Sequence, residues 1–432
     1  MGMKDHAKNW ATTLRLDSHH AMERFGVLFV ALALSFVVIF GTAATTAVSN
    51  ERTQLGSTAL YTPTFTTSKT QLDGDVHGVY VSSDRTRAMV LMQFSDTSSV
   101  SANAERYQGF LTGASKELVD EPLKSNISGE IVTFGPTGFL AMVLESDAPF
   151  EQQILNLTMR SNSELVFLPS EKRKVREDLE GQKTFAEFDQ WRLYFNPGAS
   201  GAETVPALDS ETFDAGAVYA DLVITPDEDV VRQSMDDQLA QMQVDQARIA
   251  EYESEMDRVN VDGIFLTPPT VPEQIAGDEV TGSAPVDGKD STLTLKPKWV
   301  SPSGYDFDWR GGSVTEGYLD DLVSADDSYV TFLAEKASLS KNGDEGAVRL
   351  KDEAWALSNG RLLSDYGTSS DKAMEPLREI KNDLSQAYQD YFSHKVDYQV
   401  TSYGQLLDLE VALRTVRTGA SNNDSDKALF TY

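Results

Sequence analysis

TPDEDVVRQSMDDQLAQMQVDQARIAEYESEMDRV, residues 225–259, is the stretch around which the rest of the chain arranges itself. Thr225 suits an N-cap, Pro226 the first helical position, and Glu228 the acidic place of a capping box, so the spacing predicts a helix starting here. Asp227 and Glu228 in the first turn complement the helix dipole. Apolar side chains then recur at Val231, Met235, Leu239, Met242, Ile249, Tyr252, Met256 and Val259, with Gln246 interrupting. Steps of three and four give one narrow stripe, the pattern of a coiled-coil seam over about four heptads. The same stripe also suits an amphipathic helix packed on its own domain. These eight residues are the candidate interaction seam, which its methionines would make adaptable.

N-terminal to this helix, residues 75–224 read as β-rich. The apolar runs at 76–81 and 88–94 flank the polar turn Ser82-Ser83-Asp84-Arg85, a hairpin signature. Further runs follow at 129–134, 139–144, 154–159, 165–168 and 218–224, and one helix is expected near 103–111. Short strands at this spacing predict a β-sandwich or barrel-like domain. The charged stretch EKRKVREDLEGQ (171–182) reads as a connector, and the aromatic group Phe185, Phe188, Trp191, Tyr194 and Phe195 as core before ligand site.

Farther out, GVLFVALALSFVVIFGTAATTAV (residues 26–48) carries no charge. At about 1.5 Å per residue it reaches about 35 Å, enough to cross a bilayer core of about 30 Å. Lys4, Lys8, Arg15 and Arg24 precede it and only Arg52 follows closely, which places a stub (1–25) in the cytoplasm and the bulk outside. A cleaved signal peptide is the rival, with Thr42, Ala43, Ala44 and Ala47 as its small-residue site. Residues 49–74, rich in Ser and Thr, read as a stalk.

On the other side, residues 261–314 carry prolines at 268, 269, 272, 285, 297 and 302 and read as a linker. Residues 315–420 read as helical. One helix is expected over 352–364 and a second over 371–392, with Met374, Leu377, Ile380, Leu384, Tyr388 and Tyr391 on one face. A third, capped by Ser402 and Gln405, would bury Leu406, Leu409, Leu413 and Val416. The tail 421–432 is expected to be flexible. The fold class is therefore α+β: a single N-terminal transmembrane helix, a β-sandwich-like outer domain, a long coiled-coil-like helix and a C-terminal helical region.

Composition limits function. With 37 basic against 67 acidic residues, the net charge of -30 disfavours nucleic acid. There is no cysteine, which removes disulfides and thiol chemistry. Of the five histidines, only His77 and His394 lie beyond the stub, too few for a histidine-based zinc hydrolase, and no H-E-x-x-H or G-x-S-x-G occurs. A Ser-His-Asp triad would have to use one of those two. Asp73-Gly74-Asp75 and Asp306-Phe307-Asp308 resemble calcium-ligand fragments, but neither extends to a full loop. No cofactor, metal or catalytic residue is assigned. These features predict a non-enzymatic scaffold or interaction subunit of a cell-envelope assembly, anchored by one span. Its partners would be other envelope proteins or a second copy. A carboxylate-dependent hydrolase or a sensor acting through a cytoplasmic partner are the alternatives.

Overall fold

The computed structural model describes residues 56–96, 100–161, 188–285, 290–341, 355–367, 370–423 and 428–432. Three layers stack: an outer sheet, a middle sheet and a helical layer. The middle sheet runs in the order β1 (Thr64–Thr66), β2 (Asp73–Val81), β3 (Arg87–Phe94), β7 (Phe139–Ser146), β6 (Ile127–Thr133), β13 (Ser421–Asn423), with β10 (Glu203–Thr204) alongside β2. The outer sheet runs β14 (Leu429–Thr431), β4 (Tyr107–Ala114), β8 (Ile154–Ser161), β9 (Asp189–Phe195), with β5 (Asp120–Glu121) on β4.

Alternation explains the stacking. In β3, Ala88, Val90, Met92 and Phe94 face the outer sheet, while Met89 and Leu91 face the helices; in β7, Leu140, Met142 and Leu144 do the first and Phe139, Ala141 and Val143 the second. Both strands are covered on two faces, and so read as continuous apolar runs. The hairpin read at Ser82–Arg85 is present, with Val79 opposite Val90 and Arg85 at a φ of 61° in the turn. Between the sheets lies a dry aromatic core. Trp191 stacks on Phe65 at 5.5 Å and meets Phe94 edge-on at 5.3 Å and Tyr107 at 6.4 Å.

In the helical layer, α1 (Ala215–Tyr219) runs through a π turn (Ala220–Ile224) into α2 (Thr225–Met256). The short α3 (Leu319–Leu322) and the surface helix α4 (Tyr329–Lys341) follow, the latter burying none of its residues. Then α5 (Glu375–Val396) runs through a second π turn (Asp397–Ser402) into α6 (Tyr403–Gly419).

Several expectations are corrected. No helix among the described residues is long and apolar enough to cross a membrane. That overturns the fold with an N-terminal transmembrane helix, and with it the single-pass, signal-anchor, membrane placement with the bulk of the chain outside; residues 1–55, including 26–48, lie outside the described residues. The longest helices, 42 and 45 residues through their π turns, carry Asp, Glu, Gln and Arg along their length, which a lipid interior would penalise. The mixed α+β character stands.

Neither expected helix start is a start. The helix before Thr225 is capped by Asp214, which accepts from the Gly216 and Ala217 amides at 2.9 and 3.1 Å. Thr225 instead donates its hydroxyl to the Ala220 carbonyl at 3.0 Å, and Pro226, which lacks an N–H, is accommodated by the wider π turn. Residues 218–224, expected as a strand, form the end of α1 and this π turn. Ser402 likewise donates to Gln238 Oε1 at 3.0 Å inside a continuous helix.

The helix expected near 103–111 is one 3-10 turn capped by Asn103, followed by β4, whose Tyr107, Gly109 and Leu111 alternate inward. The helix expected at 352–364 is, over its described residues, a tight reversal with Ala356 opposite Leu362, because Gly360 sits at a φ of 80°. The tail is no tail: β13 extends the middle sheet and β14 pairs in parallel with β4. The described part of the expected stalk includes β1 and the buried Phe65, Thr67 and Ser68. Residues 162–187, including the charged connector, the run at 165–168 and Phe185, lie outside the described residues.

Candidate interaction surface

The eight seam residues face their own chain. Met235, Leu239, Met242 and Met256 are buried, and Val231, Ile249, Tyr252 and Val259 pack against the same core, which contains Leu377, Ile380, Leu384, Tyr388 and Tyr391 of α5. Residues of one helix stripe covered by another helix of the same chain are not offered to a partner. The seam reading gives way to the intramolecular one.

The segment 261–314 is not a spacer either. It lies over the helices, and its backbone is satisfied by their side chains. Glu228 of α2 accepts from the Val314 amide at 3.1 and 3.2 Å and from Arg232 Nε at 2.8 Å. Glu410 of α6 accepts from the Tyr318 and Leu319 amides at 2.7 and 3.0 Å, capping α3, and from Arg414. Gln399 takes the Ser301 amide at 3.2 Å, and Arg310 pairs with Asp236. Apart from the short hairpin of β11 (Glu279–Thr281) and β12 (Thr294–Lys296), its described residues form no regular ladder, and buried carboxylates and a side-chain amide pair several of its N–H groups.

Of the nine exposed large apolar residues among those described, four, Leu118 (47%), Val119 (63%), Phe430 (37%) and Tyr432 (69%), fall along the β4 edge of the outer sheet. The register explains why. Phe430 lies opposite Phe110, Tyr432 donates its amide to the Leu111 carbonyl, and β5, one residue beyond Val119, covers Gly113 and Ala114. The outward face continues the strip. Phe110 and Phe430 stack at 5.3 Å, and the Arg160 guanidinium lies 4.4 Å over Phe110 and 4.7 Å over Phe188. Arg192 and Tyr194 project from β9 on the same face, while Trp191, Leu193 and Phe195 point into the core. The result is an aromatic strip crossed by Arg160, along two very short edge strands, one of them the exposed acidic pair Asp120–Glu121. Sequence alone could not assemble it, because Phe430 and Phe110 meet only through the parallel pairing of the last strand.

Other candidates are less complete. A cleft of about 1310 Å³ separates β6 and β7 from α1 and the end of α6. Three of its charges are already committed: Arg87 binds Glu145 at 2.6 Å and the Leu208, Ser210 and Glu211 carbonyls, and Asp214 caps α1. Buried Asp245 holds His394 Nδ1 at 2.8 Å, the orienting half of a triad, but among the described residues no serine hydrogen-bonds His394. His77 binds Gln93 at 2.8 Å and packs against Phe139. Asp73 accepts from Thr66 and Asp308 from the Gly311 amide, so both calcium-like fragments act as local acceptors. Among the described residues no three His, Asp or Glu side chains gather as metal ligands. No family model, curated protein or solved structure matches the chain.

Proposed function

We propose that the chain is a non-enzymatic interaction subunit that binds a protein partner through the β4 edge of its outer sheet. The carrying observation is the strip formed by Phe188, Arg160, Phe110 and Phe430, continued by Tyr432, Val119 and Leu118. Rigid aromatics and arginine are the residues that carry binding energy at protein interfaces, and a short edge strand can add backbone hydrogen bonds to an incoming strand. The long helix, first in line as an interaction element, is spent on the chain's own core.

The test is site-specific photocrosslinking in the cells that make the protein, with benzoylphenylalanine replacing Phe430, Val119 or, as a control, the exposed Val244 of α2. One defined adduct from 430 and 119, absent from 244 and lost on Arg160→Glu, is the expected result. Equal labelling at all three positions, or none at the edge, would sink the reading.

A further inference from the structure

Lys395, in the last turn of α5, is wholly buried, and its Nζ lies 2.7 Å from Oδ2 of Asp278, whose side chain is buried as well. Nζ also donates to the Gln274 carbonyl at 2.6 Å and sits 5.4 Å from the Trp299 ring. The carboxylate is held from two sides. The Lys298 amide donates to Oδ1 at 3.1 Å and the Tyr391 hydroxyl to Oδ2 at 3.1 Å. We propose that this cluster is a modification site at which Lys395 and Asp278 condense into an intramolecular amide, tying the segment over the helices covalently to α5.

The geometry suits that bond. A nitrogen hydrogen-bonded to a carboxylate oxygen lies within about 3.5 Å of its carbon, the separation of a near-attack pair. Burial pushes the Lys395 ammonium below its ordinary value, which eases loss of its proton. Nζ passes one proton to Oδ2, and the neutral amine attacks Cγ, forming the N–C bond. The Lys298 amide faces the oxygen on which negative charge develops. A second proton passes from nitrogen to Oδ2, the Cγ–Oδ2 bond breaks, and one water departs. Ammonium plus carboxylate become amide plus water, with no oxidant and no other reactant. Two buried charges, costly to keep in an apolar interior, are replaced by one neutral group. In a chain without cysteine, the bond would supply the constraint that a disulfide otherwise provides.

The test is mass spectrometry on the denatured, trypsin-digested full-length protein beside its Lys395→Met variant. Wild type is expected to yield a branched peptide joining the fragments that contain 278 and 395, lighter than their sum by one water, with no cleavage after Lys395. The Lys395→Met chain should show no deficit. Recovery of both wild-type fragments unlinked, with cleavage after Lys395, overturns the proposal.

Discussion

The two interiors of this protein are built on different principles. Between the sheets the core is apolar and aromatic, centred on Trp191, Phe65, Phe94 and Tyr107. In the helical layer, apolar packing is threaded with buried charges: Glu228, Asp245, Lys395 and Glu410, each paired. Strands satisfy one another's backbone, so the sandwich can bury side chains that carry no polar work. The segment over the helices has only one short hairpin among its described residues, and several of its buried amides take side-chain acceptors instead. Charge appears where regular backbone pairing is missing. Asp189 shows the same rule inside the sandwich, since it accepts from the Lys69 and Thr70 amides where the chain turns between β1 and β2.

The contrast breaks most visibly at Trp191. Trp191→Ala should cost about 4 kcal/mol by loss of buried ring surface and the cavity left behind, read as a lower urea midpoint. Trp191→Phe should cost far less, because the buried indole Nε1 has no hydrogen-bond partner to lose. A comparable loss in both would mean that the sandwich depends on polar contacts after all.

Next in size is Glu410→Ala, expected to cost about 3 kcal/mol by leaving Arg414 without its buried partner and the Tyr318 and Leu319 amides without acceptors. Hydrogen exchange should speed up at those two amides and leave the β3–β7 ladder unchanged. Faster exchange in the ladder would erase the distinction between the two interiors.

The smallest effects are opposite responses to acid. In the β2–β3 hairpin, hydrogen bonds from Ser82 and Thr86 lower the exposed Asp84 to about 2. Its contribution is therefore present above pH 3.8 and is lost as pH falls towards 2. In α6, burial raises Asp408, so the folded state holds that proton more tightly. Its contribution is present below pH 3.8 and is lost as pH rises through the raised value. At pH 7, Asp84→Asn should therefore lower the urea midpoint and Asp408→Asn raise it, both differences shrinking below pH 4. The same sign for both would contradict the assignment.

Legibility followed physical range. The hairpin at 82–85 and the α5 stripe from Leu377 to Tyr391 were readable because period and turn chemistry are local. The apparent caps at Thr225 and Ser402 misled because a small polar residue that caps a helix can equally sit inside one, Thr225 bonding back across a π turn to Ala220 and Ser402 reaching Gln238 of α2. Residues 261–314 resembled a linker because proline and glycine report the lack of regular structure, not the lack of packing. The aromatic strip was invisible, since its parts come from β4, β8, the residue before β9 and the final strand.

By itself the sequence determined the α+β mixture, the strand runs that line the two-sided middle sheet, the apolar stripe of residues 231–259 and the absence of thiol chemistry. These depend on composition and on periods of two and 3.6, which any window of the chain carries. Only the tertiary structure decided that this stripe is covered by α5, that the last strand completes the outer sheet, and that Lys395 meets Asp278. Each of those is a contact between residues far apart in the chain, chosen by the burial of surfaces and the pairing of backbone groups that no single segment can satisfy alone.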